Sequence, residues 1–446
     1  MSRKPFLSII LVICLAAIVP RSGVAELASP EEMRRICENW LAFASFPTNT
    51  RNEVDVLTIA EVIEIVSDDT LLAHCFTLDP VGYVVVPALK GITPIKAFSG
   101  ECPWDCEQRR GLPQEVHGSL LRQFRAFASV FGSLDAVPRS AGPKGMNSMH
   151  YAAWDHFLVD PDTFANGLTR SSLSWLPRVG PLLTTRWRQN QPYRTCCPIG
   201  CYGQHCAPGC VGVATAQVMK YHNWPPLGEI VEPLELIWSG DNSCPGCSTE
   251  GDTLYADIRD WYSWTEMPDS LGVSSPMAQK EAIGELLYEL ALAMQGDFGV
   301  CGTPINGWAP GLVLPEYFRY HPDIMFRFCR NMTYEEITEA LIEEINAGRP
   351  VIYQIGNHEI VVDGWWIGEF GYLFHTNWGW GNTNLGWYAL EEFPGAPNVN
   401  DGFFVGVMPD ASVGYAYVKP DGTGDYPTIQ AAIDAMPSAS LTFHRI

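Results

Sequence analysis

The chain has 446 residues, enough for two or three domains, and sets 28 Lys and Arg against 50 Asp and Glu for a net charge of −22. That balance excludes nucleic acid as a partner, because phosphate binding needs clustered cations. At 47% hydrophobic and 17% charged residues, the chain is folded globular material rather than a disordered polymer.

The N-terminus reads as a leader. Arg3 and Lys4 precede an apolar run from Phe6 to Val19 that is short for a membrane span, and Gly23-Val24-Ala25 offers a small-residue cleavage site. A signal peptide over residues 1–25 is expected, with an uncleaved anchor as the other reading. No later segment is long and apolar enough to span a bilayer. The mature chain is therefore expected to be secreted, periplasmic or at the cell surface, free of the membrane once the leader is cut. Export makes cysteine pairing the expectation. Loss of Cys14 takes the 14 cysteines to thirteen, so one thiol is left over.

Residues 28–46 predict a helix opened by Ser29 or Pro30, with Met33, Ile36, Trp40 and Leu41 on its apolar face. Residues 70–100 predict two strands about the turn Asp79-Pro80-Val81-Gly82. These make a small α+β unit over 26–133. Residues 134–181 are rich in Pro, Gly and Ser and read as a linker, with a protease-sensitive stretch at 170–181. A second unit spans 182–410. Its predicted helices are 211–224, stopped by Pro225, then 280–295, then 333–350. In the last, Thr333 and Glu336 form a capping box, and Gly348 and Pro350 end the run. Strands are predicted at 351–355, 360–366, 371–378 and 386–393. Helices first and an antiparallel, aromatic-rich sheet second is an α+β pattern. The tail 411–446 is too short to fold alone.

The cysteine-rich stretch 196–210 raises the question of a nucleophile. A reactive thiolate needs a lowered pKa, an imidazole partner and donors for an oxyanion. Cys210 stands at the N-terminus of the predicted 211–224 helix, where the helix dipole favours negative charge. Cys196, Cys197, Cys201 and Cys206 come before the helix and lack that placement. Gln204, six residues ahead of Cys210, carries an amide able to donate to an oxyanion. Among the ten histidines, His358 follows a Gly-Asn turn and opens an apolar strand. Asn377, in FHTNWGWG, has a side-chain carbonyl able to fix an imidazole tautomer, and Trp378 and Trp380 are placed to shield such a bond from water. Other readings stay open: Cys210 in a disulfide, His358 as packed structure, the CPGC of 244–247 as half a zinc site or as a redox pair. Irregular spacings and a single C-x₂-C argue against zinc, and no strand-helix setting for a redox site surrounds the CPGC. His358-Glu359 is not a metalloprotease motif, because Val362 stands where the second His is needed.

The segments CVGVATAQVMKYHNWP, GNHEIVVDG and FHTNWGWGN resemble, in order and spacing, the signature segments of streptopain-type cysteine peptidases. LAHCFTLDPVGYVVVPALKGITPIKAFSG resembles that family's inhibitory propeptide, so the likeness covers roughly residues 28–410. The resemblance implies a papain-like α+β catalytic domain at 182–410 behind a small α+β propeptide domain at 26–133. It implies a secreted zymogen that acts on protein or peptide substrates, is held inactive by its own propeptide, and needs no metal or organic cofactor. Carried over by position, Cys210 is the nucleophile, His358 the base and Gln204 the oxyanion glutamine. Trp378 takes the place that Asn holds in papain relatives, with Asn377 nearby.

Two departures stand out. Glu359 occupies a position where a small residue is usual. It is expected to point away from His358 along a strand, while a carboxylate so near raises an imidazole pKa. The catalytic segment is also cysteine-rich. Besides Cys210 it holds Cys196, Cys197, Cys201, Cys206, Cys244, Cys247, Cys301 and Cys329, and Cys37, Cys75, Cys102 and Cys106 precede it. Every exported cysteine except Cys210 can therefore pair. Two rival functions remain. One is a catalytically inert binding module with Cys210 in a disulfide. The other is a carbohydrate-active or adhesive protein, since VKPDGTGDYPTIQAAIDA resembles the entry to a right-handed β-helix whose repeats are missing from the sequence.

Overall fold

A computed structural model describes residues 27–44, 57–104, 112–131, 146–167, 178–368, 371–389 and 401–410, together with Thr428. The expected leader and, Thr428 apart, the C-terminal tail lie outside the described residues. The chain divides into two units. The first holds Met1–Pro181, Met332–Ile342 and Val362–Asp401; the second holds Leu182–Asn331, Glu343–Val361 and Gly402–Ile446. Among the described residues no helix is long and apolar enough to cross a membrane.

In the first unit, α1 (Pro30–Ala44) starts on a reciprocal capping box: the Ser29 N–H donates to Glu32 Oε2 at 2.8 Å and the Glu32 N–H to Ser29 Oγ at 3.2 Å. Met33, Ile36, Trp40 and Leu41 are buried, as the periodicity predicts. The predicted strand pair is β2 (Thr70–Asp79) and β3 (Tyr83–Pro87). Their turn needs Gly82, whose φ is +135° and where a Cβ would collide with the Ser99 carbonyl. Two elements were not predicted: β1 (Thr58–Ser67), paired antiparallel to β2, and α2 (Leu112–Phe131), whose Leu112, Val116, Leu120, Phe124 and Phe127 form a buried stripe.

The segment 134–181, read above as linker, is corrected by two helices. These are α3 (Met146–Phe157) and α4 (Pro161–Gly167). They are held by contacts distant in sequence. The Asn39 amide donates to the carbonyls of Phe157 and Val159, both at 2.8 Å, and the Trp154 indole donates to the Ile92 carbonyl at 2.9 Å. Trp40 packs on Phe157 at 6.0 Å between ring centroids. Of the expected cleavage stretch, residues 168–177 lie outside the described residues, and Arg178–Val179 form β5.

The sheet strands of the first unit run β1-β2-β3, then β4 (Ala97–Ser99), β12 (Gly386–Tyr388), β11 (Gly371–Asn377) and the part of β10 (His358–Gly368) from Val362 onward, with β5 on β10. The predicted strand 386–393 thus ends at Tyr388; residues 390–400 lie outside the described residues. The join between β4 and β12 matters most, because it links the N-terminal segment to the C-terminal part of the chain. Phe98 faces Trp387 and Ala97 faces Tyr388. Beside it Lys96 is fully buried, its ammonium donating to the Ala389 carbonyl at 2.9 Å and lying 4.8 Å from the Tyr388 ring centroid. The Ala389 N–H returns a bond to the Lys96 carbonyl at 3.0 Å.

The second unit is built around α5 (Cys210–His222), in which Val211 through Met219 are all buried. Helices α6 (Met277–Ala293) and α7 (Ala309–Tyr317) and strand β8 (Met325–Phe328) follow. Helix α8 (Tyr334–Asn346), of which Glu343–Asn346 belong to this unit and the rest to the first, opens on the predicted box, with the Thr333 N–H donating to Glu336 Oε2 at 2.7 Å and the Glu336 N–H to Thr333 Oγ1 at 3.2 Å. Strand β9 (Val351–Ile355) lies against β13 (Gly402–Val405), which pairs with β8. A separate hairpin, β6 (Leu234–Trp238) with β7 (Asp252–Ala256), was not predicted. The core joins Val211, Ala214 and Val218 of α5 to Ile283, Leu286, Leu287 and Leu290 of α6, and to Ile352, Val361 and Phe404 of the strands.

Lys96→Ala removes a buried donor and leaves a cavity, so the first unit should lose about 2–4 kcal/mol. Amide hydrogen exchange would then speed up across β4 and β12 while β13 stays as it is. Equal exchange at β4 and β12 in both proteins would show that Lys96 does not hold this join.

Candidate active site

The site begins with a glycine. Gly209 precedes α5 with φ +81°, and a Cβ there would meet the Thr303 carbonyl oxygen at 2.8 Å and Ile305 at 3.1 Å. This turn starts the helix on Cys210 itself. At its other end Asn223 closes the helix in the left-handed region, its N–H donating to the Lys220 carbonyl.

Cys210 is half-buried. Burial pushes its thiol up, and the N–H groups of Glu359, Val211 and Cys210 pull the other way by donating to the sulfur. Cys210 is the first residue of α5, and a helix N-terminus favours negative charge. His358 is the first residue of β10, is half-buried and lies in the same unit as Cys210. The two segments, 148 residues apart in the chain, thus meet in one unit. Glu359 itself is 2% exposed, its Oε1 has no hydrogen-bond partner, and burial first and the Cys210 charge second push its carboxyl well above the usual range. The sequence pattern named Glu359 as a departure without assigning it to the sulfur.

Gln204 lies on the loop before α5, behind a short turn at Cys201–Gly203. Its side chain is exposed, and its carbonyl accepts a bond from the Arg194 guanidinium at 3.3 Å. A half-buried glutamine, Gln189, was passed over. It lies two residues after fully buried Trp187, whose N–H donates to Gln217 of α5 at 3.2 Å, so the segment carrying it is tied to the helix. Asn377 and Trp378 belong to the first unit and are buried. There the Asn377 carbonyl accepts from the Gly379 N–H at 3.0 Å, and the Trp378 indole donates to Thr376 Oγ1 at 3.0 Å.

The parity argument for Cys210 needs correction. Cys201 pairs with Cys247 and Cys244 with Cys301, so the CPGC cysteines are bonded to other partners, not to each other. Cys196, Cys197 and Cys206 keep their thiols. Burial raises all three; nearby Glu285 and Glu281 help push Cys196 up to about 11, and Asp241 helps push Cys206 up to about 12. What sets Cys210 apart is therefore the donor set on its sulfur rather than being left over.

Asp241 anchors the disulfide loops. It is fully buried and accepts from the N–H groups of Cys201 (2.9 Å), Ser243 (3.0 Å) and Val300 (3.2 Å) and from Ser243 Oγ at 2.7 Å. Burial raises its carboxyl, but these bonds outweigh burial and hold it below the usual carboxylate range.

Residues 187–388 match the model of the Peptidase C10 family. Streptopain of Streptococcus pyogenes is 28% identical over 232 residues, covering 48% of this chain and 56% of that protein. The thiol protease/hemagglutinin PrtT of Porphyromonas gingivalis is 25% identical over 210 residues, 46% of this chain and 23% of that protein. The chain thus spans about half the length of streptopain and less of PrtT. Among solved structures, a fragment of Prevotella intermedia prointerpain A covers 78% of this chain and 99% of its own length at a TM-score of 0.58 and 21% identity. The resemblance read from the three segments holds, and the fold is the papain-like one with an N-terminal propeptide region.

Asp241→Ala leaves the buried Cys201 N–H and the part-buried N–H groups of Ser243 and Val300 without this acceptor and should cost about 2–3 kcal/mol. Because the folded pKa is depressed, the stabilisation is complete above the unfolded value of about 3.9 and is lost as pH falls through the folded value. Asp241→Asn should flatten the acid limb of a stability-against-pH curve; an unchanged limb would remove Asp241 from the acid response.

Proposed function

We propose that this chain is an exported cysteine endopeptidase made as a zymogen, with Cys210 as nucleophile and His358 as its acid and base. The observation that carries the reading is Cys210 as the first residue of the buried helix α5, in the same unit as His358, the first residue of β10. The Peptidase C10 match over 187–388 supports the reaction class. The inert binding module loses its main support, because Cys210 is not in a disulfide.

In the proposed reaction the Cys210 thiolate attacks the scissile carbonyl carbon. A C–S bond forms and the carbonyl oxygen takes the negative charge. The Cys210 N–H and a glutamine amide stabilise that oxygen. His358, as imidazolium, protonates the amine as the C–N bond breaks. A water then gives its proton to His358 and attacks the thioester, releasing the acid and the thiolate. Gln204 is the glutamine proposed from spacing. The exposure of Gln204 and the anchoring of the Gln189 segment on α5 make Gln189 the second candidate. Asn377 and Trp378 are proposed to support His358. The N-terminal segment, paired through β4 to β12, is proposed as the intramolecular inhibitor, released by cleavage within 170–181.

Cys210→Ala and His358→Ala should each lower kcat/KM on a peptide substrate by at least about a thousandfold. A thiol-directed epoxide should label Cys210 alone, and only after limited proteolysis of the full chain. Of Gln204→Ala and Gln189→Ala, the oxyanion residue should lose about a hundredfold in kcat with little change in KM. No label on Cys210 in folded, cleaved protein would defeat the peptidase reading.

A further inference from the structure

The three residues ahead of Cys210 do not fix its direction by themselves. Pro208 has no N–H to anchor, and Gly209 permits its φ of +81° without enforcing it. The restraint comes from Ala207, which is buried and held on both backbone groups. Its N–H donates to the Gly299 carbonyl at 2.9 Å, and its carbonyl accepts from Thr303 Oγ1 at 2.5 Å.

Thr303 is buried and turns each part of itself to this junction. Its hydroxyl donates to Ala207 and accepts from the Gly299 N–H at 3.1 Å, so its proton and a lone pair are both matched. Its methyl stands 3.0 Å from where a Cβ on Gly296 would lie, just past the end of α6. Its carbonyl oxygen lies 2.8 Å from the place of a Cβ on Gly209. One residue thus meets the chain on both sides of Pro208. The loop that carries it is anchored in turn. Cys301 is bonded to Cys244, the Cys301 N–H donates to Ser243 Oγ at 3.0 Å, and the Val300 N–H donates to Asp241 Oδ2 at 3.2 Å. Across the loop the Asp297 N–H donates to the Pro304 carbonyl at 3.1 Å.

Taking Cys210 as the nucleophile, and so resting on the peptidase reading, we propose that Thr303 is a positioning residue for it. Its hydroxyl ties the entry of α5 to the disulfide-anchored loop and thereby sets where the Cys210 sulfur stands when it attacks. Thr303 acts through Ala207 rather than on the substrate. Without the hydroxyl, the Ala207 carbonyl and the Gly299 N–H lose the group that joins them, and Gly209 passes the added freedom on to Cys210. Attack needs the reacting atoms about 3–3.5 Å apart and aligned, so a small displacement of the sulfur slows the chemical step more than it weakens binding.

The test uses the full chain after limited proteolysis, with kcat counted per molecule whose Cys210 reacts to completion with a thiol-directed epoxide. Thr303→Val, of nearly the same shape without the hydroxyl, should lose about tenfold or more in kcat on a peptide substrate, with KM within about twofold. Thr303→Ser, which keeps the hydroxyl and lacks the methyl, should hold kcat within about threefold of the wild type. Thr303→Ala leaves room for a water between the two backbone groups, so it serves if the valine variant does not fold, and it should lose kcat in the same sense. An unchanged kcat in the valine variant, or in the alanine variant standing in for it, would show that the hydroxyl does not place the sulfur. Equal losses in the serine and valine variants would assign the effect to the methyl and the fit of the core. A loss confined to KM would assign Thr303 to substrate binding. Each of these overturns the proposal while leaving the nucleophile in place. Absence of any adduct on Cys210 in the folded wild type would instead overturn the nucleophile.

Discussion

Everything about the site depends on one helix being buried along its length. Residues 211–219 of α5 are all enclosed, so the helix has no solvent face on which to slide or turn. Its first residue is placed as firmly as its core. Gly209 lets the chain enter at an angle no other residue would take without strain, and the Thr303 carbonyl and Ile305 wall the turn from behind. Cys210, the residue proposed as nucleophile, thus stands at the first turn of a rigid element.

The same burial brings a cost that the donors offset. A thiol drawn out of water becomes a weaker acid, and here burial is the larger effect on Cys210. Backbone N–H groups recover part of the loss without adding a cation or moving during the reaction. The Glu359 carboxyl feels the same burial, which with the Cys210 charge pushes it well above the usual carboxylate range.

Local signals in the sequence were the ones that translated into structure. The capping box at Thr333 and Glu336, the start of α5 at Cys210 and the turn at Gly82 each need only residues a few positions apart, and each formed. The linker reading of 134–181 failed because its polar, Gly- and Pro-rich composition hides side chains that find partners far away. The Trp154 indole reaches the Ile92 carbonyl and the Asn39 amide caps the Phe157 carbonyl, at separations of 62 and 118 residues. The disulfides close across 46 and 57 residues, which no spacing rule encodes. At the site, residue types and order picked out Cys210 and His358. Gln204 was chosen by spacing alone, and spacing carries no information about exposure. Glu359 was visible as an odd residue, but its bond to sulfur comes from its backbone, which every residue type shares.

The join of β4 to β12 has a further consequence. Each strand is three residues long, and two facing pairs hold them together, reinforced by Lys96. On the proposed release of the N-terminal segment, β12 becomes the rim of its sheet, with backbone groups that had been matched now turned to water. Long bare rims recruit other chains, and short ones much less. The brevity of this seam allows it to be opened without leaving behind a surface that gathers copies of the protein into aggregates.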